Sequence, residues 1–350
     1  MLTVVGDCDQ RLFGMKPAER LSRQASRLGD LHLVAHASAV LSDDTVAWLA
    51  DHPGTIITSS GGRPLAAVVG ADQLMDAEQM IVGNGGRLTV TGADAIGPVY
   101  VRKLRRRLEP LTLALGEQPT AKVERQLFAS VYKGVTDVVT KYAWPEPALW
   151  LTRGAAALGL TPNFVTIVGF ILTFVAGWQF YVGNLAEGMA AAWLMTLLDT
   201  VDGKLARITV TSSWLGNQLD HGNDLIHPPL WWFCLAHGIS LVQPAHPWTW
   251  PSCWMILAAY VVGRILERGF KKQFGFNPFM WQRFDSRFRM VISRRNIILL
   301  IMTVGLIVGL PAEAFGLCAA WSLVSVLIQG GRYLQAISHS RREPLHAWLG

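Results

Sequence analysis

From about residue 163 onward the chain is written as six apolar runs, roughly 163–183, 185–207, 213–240, 250–270, 296–311 and 313–336, separated by short polar breaks. A run of ~20 apolar residues is what a helix needs to cross a bilayer. In lipid the backbone polar groups must be satisfied within the fold, so such runs have to be helical. Residues 161–340 are therefore predicted to form an all-α domain of six transmembrane helices, the fifth being short. Thr161-Pro162-Asn163 opens the first of them, with Thr as N-cap and Pro in the first turn.

The breaks between these runs differ in charge. Connections 181–184, 242–250 and 310–313 contain no Lys or Arg. The region before the first run has Lys133, Lys141 and Arg153, and the second connection has Lys204 and Arg207. The fourth is strongly basic, from Arg268, Lys271 and Lys272 to Arg294 and Arg295, and the C-terminus has Arg332, Arg341 and Arg342. Basic and bare connections alternate, which predicts that both termini are cytoplasmic. A multi-pass protein of a bacterial inner membrane is the expectation. Trp231, Trp232, Trp248, Trp250 and Trp254 cluster where an interfacial aromatic belt would fall.

The whole-chain averages, 51% hydrophobic and 16% charged with a net charge of +6, hide two unlike halves. Residues 1–115 alternate β-like runs (LTVV, LHLVAHA, TIITSS, PLAAVV, RLTV) with helical stretches at 17–28 and 43–51. That pattern predicts an α/β, Rossmann-like domain. Residues 116–160 are expected to be a linker, with an amphipathic juxtamembrane helix over 124–142, where Leu127, Val131, Val135, Val138 and Tyr142 recur at near-helical intervals. A core-facing helix of the soluble domain is the alternative. The basic run at 102–107 suits anionic lipid or a solvated face. The N-terminus lacks a basic and then apolar leader, so no signal peptide is expected. The four cysteines have neither disulfide nor metal-finger spacing, and read as small apolar fillers.

The chemistry concentrates in LLDTVDGKLARITVTSSWLGNQLDHGND, residues 197–224. Asp199 and Asp202 are three apart and Asp220 and Asp224 four apart, so on helices each pair shares a face. Four carboxylates converging on one place repel unless divalent cations relieve them. Oxygen-only ligation suits Mg²⁺ or Mn²⁺, or Ca²⁺, rather than zinc. Two ions can clamp a pyrophosphate. Gly203, Ala206 and Gly216 remove bulk where a nucleotide must approach a helix, and Arg207 can pair with phosphate oxygens. The acids alone also fit a cation-coupled transporter. That reading leaves the Gly, Ala and Arg positions unexplained, and the sequence has no internal repeat to support it.

Written as a pattern, these positions give D-x2-D-G-x2-A-R-x8-G-x3-D-x3-D, and all eight match the signature of the CDP-alcohol phosphatidyltransferase family. The resemblance covers about residues 125–340. It implies six transmembrane helices, a cytoplasm-facing site, a homodimer, and attack of an alcohol hydroxyl on a CDP-linked donor with release of CMP. By the same resemblance, Asp199, Asp202 and Asp220 are metal ligands for Mg²⁺ or Mn²⁺, with two ions expected. Asp224 is a metal ligand or the catalytic base. Gly203, Ala206, Arg207 and Gly216 contact CDP. His221 and His227 flank the second acid pair and are candidates for a substrate role. For an acceptor bearing phosphate, Arg264, Arg294 and Arg295 are the candidates, with Lys271 and Lys272 beside them. The expected partners are a CDP-alcohol donor, an alcohol acceptor and membrane lipid, with no nucleic acid.

The opening VVGDCDQRLFGMKPAERLSRQASRLG resembles that of sugar-nucleotidyltransferases in Arg11, Leu12, Lys16 and Pro17. It departs in keeping only Gly6 of the Gly-rich turn and in placing Asp7 and Asp9 where a triphosphate would bind. No aspartate stands in LVAHASAVL, where those enzymes hold metal. A degenerate or ligand-sensing domain is expected. The two-domain order resembles the fused enzymes that make di-myo-inositol phosphate phosphate, which implies a polyol as donor or acceptor. CDP-diacylglycerol is the alternative donor, for a phospholipid headgroup synthesis.

Overall fold

The computed structural model describes residues 1–349, without the side chains of Leu215, Asn217, Leu219, Asp220, His221, Asn223 and Asp224. The chain divides into two compact units. One comprises Met1–Gly134, Leu149–Pro162 and Gly203–Ser212. The other comprises Val135–Ala148, Asn163–Asp202 and Ser213–Gly350.

In the first unit the strands are β1 (Leu2–Val5), β2 (His32–His36), β3 (Ala39–Leu41), β4 (Thr55–Thr58), β5 (Pro64–Val69), β6 (Thr89–Thr91), β7 (Val99–Val101), β8 (Arg106–Leu108) and β9 (Thr112–Ala114). Helices α1 (Pro17–Ala25), α2 (Asp43–Asp51), α3 (Leu74–Val82) and α4 (Thr120–Ser130) accompany them. The main sheet has the order β1-β2-β5-β4-β6, and two ribbons, β3 with β9 and β7 with β8, stand apart from it. Side chains alternate across the sheet, as the period of two requires. Leu33, Ala35, Ile57, Ala66 and Val68 pack on one face with Leu21 and Ala25 of α1 and Val46 and Leu49 of α2. Val34, Ile56, Ala67 and Val69 pack on the other with Ala77 and Ile81 of α3.

The expected α/β domain is present, and its sheet is mixed. β5 runs antiparallel to both β2 and β4. The cause is the turn between β4 and β5, where the Ser59 amide donates to the Arg63 carbonyl at 2.8 Å and Gly62 takes φ 81°. A turn that tight makes a hairpin, whereas a parallel pair needs a long crossover.

The stretch 124–142 is two elements rather than one amphipathic helix. α4 stops at Ser130, and a π-helical turn follows only at Val139–Ala143. Between them Gly134 donates its amide to the Leu104 carbonyl at 2.8 Å, and a Cβ there would stand 2.6 Å from that of Arg106. The helix breaks to let this backbone lie against β8. Val123, Leu127 and Phe128 of α4 are buried, so the core-facing alternative holds for this element.

The remaining helices are α5 (Pro145–Ala157), α6 (Pro162–Tyr181), α7 (Leu185–Ile208), α8 (Trp214–Val242), α9 (Thr249–Phe274), α10 (Arg283–Val291), α11 (Arg295–Ile307) and α12 (Pro311–Ser340). All six apolar runs are helical. Four helices are long and apolar enough to cross a membrane: α6, residues 225–242 of α8, α9 and α12. α10 and α11, bent by 41°, make a fifth if they act as one span. α7 falls outside this set because its last three turns carry Asp199, Asp202, Lys204 and Arg207.

The core of the second unit gathers Phe180, Trp231, Trp232, Met302 and Phe315 around Cys253 and Cys318, both small buried fillers. Trp231 and Trp232 are thus core residues and not part of an aromatic belt; the Trp231 indole is satisfied by the Thr173 carbonyl at 2.8 Å. Trp248 and Trp254 are exposed.

Candidate functional site

On α7 the first two motif acids do share a face, and neighbouring helices reach both. Asp202 is buried and accepts a hydrogen bond from the Thr166 hydroxyl of α6 at 2.7 Å. Asp199 accepts from the Arg295 guanidinium at 2.7 Å. The other terminal nitrogen of Arg295 lies 3.3 Å from Nε2 of His227, which is fully buried against Trp231. Asp220, Asp224 and His221 lie outside the described side chains. Among the described residues no three His, Cys, Asp or Glu side chains come together. The donor set nonetheless suits a hard divalent cation, since Asp199 and Asp202 offer only carboxylate oxygens from one face and Arg295 already balances one of them.

The small motif residues make room close by. A Cβ on Gly203 would come 3.3 Å from the Arg207 guanidinium, so this glycine leaves the space in which Arg207 folds back along its own helix. Ala206 lends its carbonyl to the amide of Thr211 at 2.9 Å. Gly216 sits in the first turn of α8, where its amide donates to the N-cap Ser213 hydroxyl at 3.0 Å. The same hydroxyl donates to Asn163 at 3.0 Å, and a Cβ on Gly216 would crowd Asn163 to 2.7 Å.

Arg264, Arg294 and Arg295, the acceptor candidates, do come together. They line one cavity of about 140 Å³ within the second unit, along with His227. Lys271 and Lys272 are exposed and take no part. The cavity adds residues that the sequence reading passed over: Asp137, Glu267, Arg289, Asn296 and Gln329. Glu267 of α9 is ion-paired with Arg294 and stands 3.9 Å from Arg264. Asp137 accepts from the Asn296 amide at 2.9 Å and from the Thr140 amide and hydroxyl at 2.9 and 3.0 Å. Burial alone would raise the Asp137 pKa, but the Arg289 charge and these hydrogen bonds outweigh it and hold the carboxyl below its ordinary range. The carbonyl oxygens of Asn296 and Gln329 are buried and accept no hydrogen bond from any described residue.

Glu267 had a readable signal, a carboxylate in the middle of an otherwise apolar run. Asp137 had none, because its position depends on the break before the π-helical turn.

The loop over residues 6–16 of the first unit turns its cations onto itself. Lys16 pairs with Asp9 at 3.3 Å, and Arg11 donates to the Gly14 carbonyl at 3.0 Å. Gly6, at φ 77°, lies against the His36 ring, where a Cβ would come within 2.6 Å of Nε2. Arg63 can only donate, so Nε2 of His36 accepts its bond at 2.8 Å. Burial and then the Arg63 charge lower the His36 pKa and keep the ring neutral.

Residues 159–329 match the family model described as CDP-alcohol phosphatidyltransferase. Among curated proteins, the archaetidylinositol phosphate synthase of Pyrococcus horikoshii is 36% identical over 94 residues, 27% of this chain and 50% of that one. The phosphatidylinositol phosphate synthase of Mycobacterium marinum is 37% identical over 90 residues, 23% of this chain and 38% of that one. Cholinephosphotransferase 1 of Xenopus laevis is 31% identical over 124 residues, 32% of this chain and 29% of that one. The chain spans half or less of the length of these relatives. Among solved structures, the phosphatidylinositol phosphate synthase of Mycobacterium tuberculosis with CDP-DAG bound is similar with a TM-score of 0.43 and 20% identity, covering 54% of this chain and 94% of that one. The same enzyme in complex with manganese and citrate gives a TM-score of 0.43 and covers 53% and 88%. The matched segment contains the whole aspartate motif, and the C-terminal part of the chain is a CDP-alcohol phosphatidyltransferase domain.

Proposed function

We propose that the C-terminal domain transfers a phospho-alcohol group from a CDP-alcohol to the hydroxyl of a phosphorylated polyol and releases CMP. The observation that carries this is the cavity beside Asp199. It offers four guanidinium groups, Arg264, Arg289, Arg294 and Arg295, against the carboxylates of Asp137 and Glu267. That excess of positive charge favours an anion, and guanidinium forks match phosphate oxygens. The two buried amide oxygens of Asn296 and Gln329 await donors, which the hydroxyls of a polyol supply. Such an acceptor lies next to the motif acids through the Arg295–Asp199 bond.

In this reading Asp199, Asp202, Asp220 and Asp224 hold one or two divalent cations. Bound Mg²⁺ or Mn²⁺ there neutralises the pyrophosphate and stabilises charge on the departing CMP. Arg207 donates to the CDP phosphates, and Gly203, Ala206 and Gly216 leave room for the nucleotide. Asp224 takes the proton of the attacking hydroxyl. The synthases among the relatives favour a lipid-linked CDP donor, with a CDP-polyol as the alternative. A homodimer in a bacterial inner membrane completes the proposal.

The test is CMP release by purified protein over a panel of CDP-alcohols, with and without inositol phosphate and glycerol phosphate. Turnover should need Mg²⁺ or Mn²⁺, vanish on chelation, and fall by at least about a hundredfold in Asp202→Asn, as loss of metal-centred charge stabilisation implies. Undiminished CMP release after chelation would overturn the metal assignment. Absence of CDP binding by the metal-loaded protein would overturn the transferase reading.

A further inference from the structure

The C-terminal end of α7 has an unusual cap. The amide and hydroxyl of Thr209 both reach the Leu205 carbonyl, at 2.9 and 2.7 Å, and the amide of Thr211 reaches back to the Ala206 carbonyl at 2.9 Å. That last bond closes the six-residue loop of a Schellman-type cap, whose penultimate residue must be left-handed and is usually glycine. Here it is Val210, buried, at φ 54°. A β-branched residue in that region is a steric outlier, and it persists only where its surroundings hold it.

The surroundings are on the page. Two of the last carbonyls of the helix, which have no intrahelical donors, face the arginines of α1. Arg20 Nε donates to the Ile208 carbonyl at 2.9 Å, and Arg23 donates to the Thr209 carbonyl at 2.5 Å. Arg20 is 3% exposed, also donates to the Leu41 carbonyl, and faces Asp43 at 3.8 Å. Burial pulls its pKa down to about 10, against the opposing pull of Asp43, so it is charged at neutral pH. Two cations at a helix C-terminus complement the helix dipole, and charge-assisted bonds are the strong ones. All these groups belong to one compact unit, which takes in residues 203–212 together with the α/β domain.

We infer that Arg20 and Arg23 are positioning residues for the turn of α7 that bears Gly203, Ala206 and Arg207, so that the α/β domain is a working part of the transferase. Their hold keeps Val210 left-handed and fixes the direction in which Arg207 leaves the helix. This rests on the role proposed above for Arg207.

The test uses the full chain as Arg23→Ala, Arg23→Lys, Val210→Gly and the double variant Arg23→Ala/Val210→Gly. Removing one charge-assisted bond from a strained turn should raise the KM for the CDP donor by about tenfold, with kcat and the acceptor KM within about twofold. Lysine at position 23 keeps a charged donor and should restore most of the loss. Glycine at 210 adopts the left-handed conformation without help. It should be neutral alone and should shrink the Arg23→Ala effect to about twofold, a coupling that a double-mutant cycle reads. Hydrogen exchange at the amides of residues 207–212 gives a readout independent of chemistry: faster in Arg23→Ala, restored in the double variant. If wild type released no CMP, the transferase reading would fail and the exchange pattern would still decide the clamp. Unchanged exchange in Arg23→Ala, or faster exchange with an unchanged donor KM, overturns the positioning role.

Discussion

Asp137 occupies a place where one carboxylate orders several partners at once. It accepts from the amide and hydroxyl of Thr140, within the π-helical turn, and from the amide nitrogen of Asn296. Fixing that nitrogen leaves the Asn296 oxygen with its lone pairs unused. Replacing Asp137 by Ala leaves the amide nitrogen with the Thr140 hydroxyl alone, at 3.2 Å, so the oxygen is held less firmly in its direction. The expected cost is that of one hydrogen bond, ~1 kcal/mol or roughly fivefold, and it should appear in the acceptor KM while the donor KM stays put. Steady-state kinetics with donor and acceptor varied in turn separate the two, and a matched rise in both would show general damage instead. The same residue marks where sequence reading stops. The motif acids stand out because charge in an apolar helix is rare. Asp137 lies in ordinary polar sequence, and only the tertiary contact to Asn296 gives it a role.

At the scale of elements, the helices of the six apolar runs are legible to within a few residues because each has to hold a long apolar run. Their neighbours in the fold are not. The hairpin between β4 and β5 was signalled by Ser60-Gly61-Gly62-Arg63, but the order and direction of strands are set by long-range pairing. The break after α4 is made by Gly134 lying against β8, which periodicity does not encode. Helix packing has similar hidden points. A Cβ on Gly238 of α8 would stand 1.8 Å from the Phe180 carbonyl of α6, so these helices meet backbone to backbone. Gly238→Ala should therefore force them apart and destabilise the domain by about 1–3 kcal/mol, an overpacking cost. Gly330 of α12 has nothing within 4 Å of its would-be Cβ. Gly330→Ala should be neutral or stabilising by up to about 1 kcal/mol through helix propensity. Thermal unfolding of the two variants in detergent makes the comparison, and equal losses would contradict the close contact.

For the molecule as a whole, α7 decides which way the helical domain threads the bilayer. Four helices qualify as spans by length and hydropathy, five with the bent pair, while α7 does not. Yet α7 has 24 residues, a length of about 36 Å at ~1.5 Å per residue, enough to cross a ~30 Å hydrocarbon core. Its charges beyond Glu187 are confined to its C-terminal part, where they can reach the interface while the N-terminal part stays apolar. If α7 crosses, the connections without Lys or Arg before α7, before α9 and before α12 all fall on one side, and the basic connection after α9 falls on the other with the C-terminus. If it does not cross, the positive-inside pattern is broken at once. Single cysteines at Asn184, Ala245 and Val308, in a background without the four native cysteines, should react with an impermeant maleimide added outside intact cells. Cysteines at Lys272 and Arg341 should react only after permeabilisation. Labelling of Asn184→Cys together with Lys272→Cys would leave α7 on one face of the membrane. The motif acids would then sit at the surface, and the two-sided arrangement of basic and bare loops would need another cause.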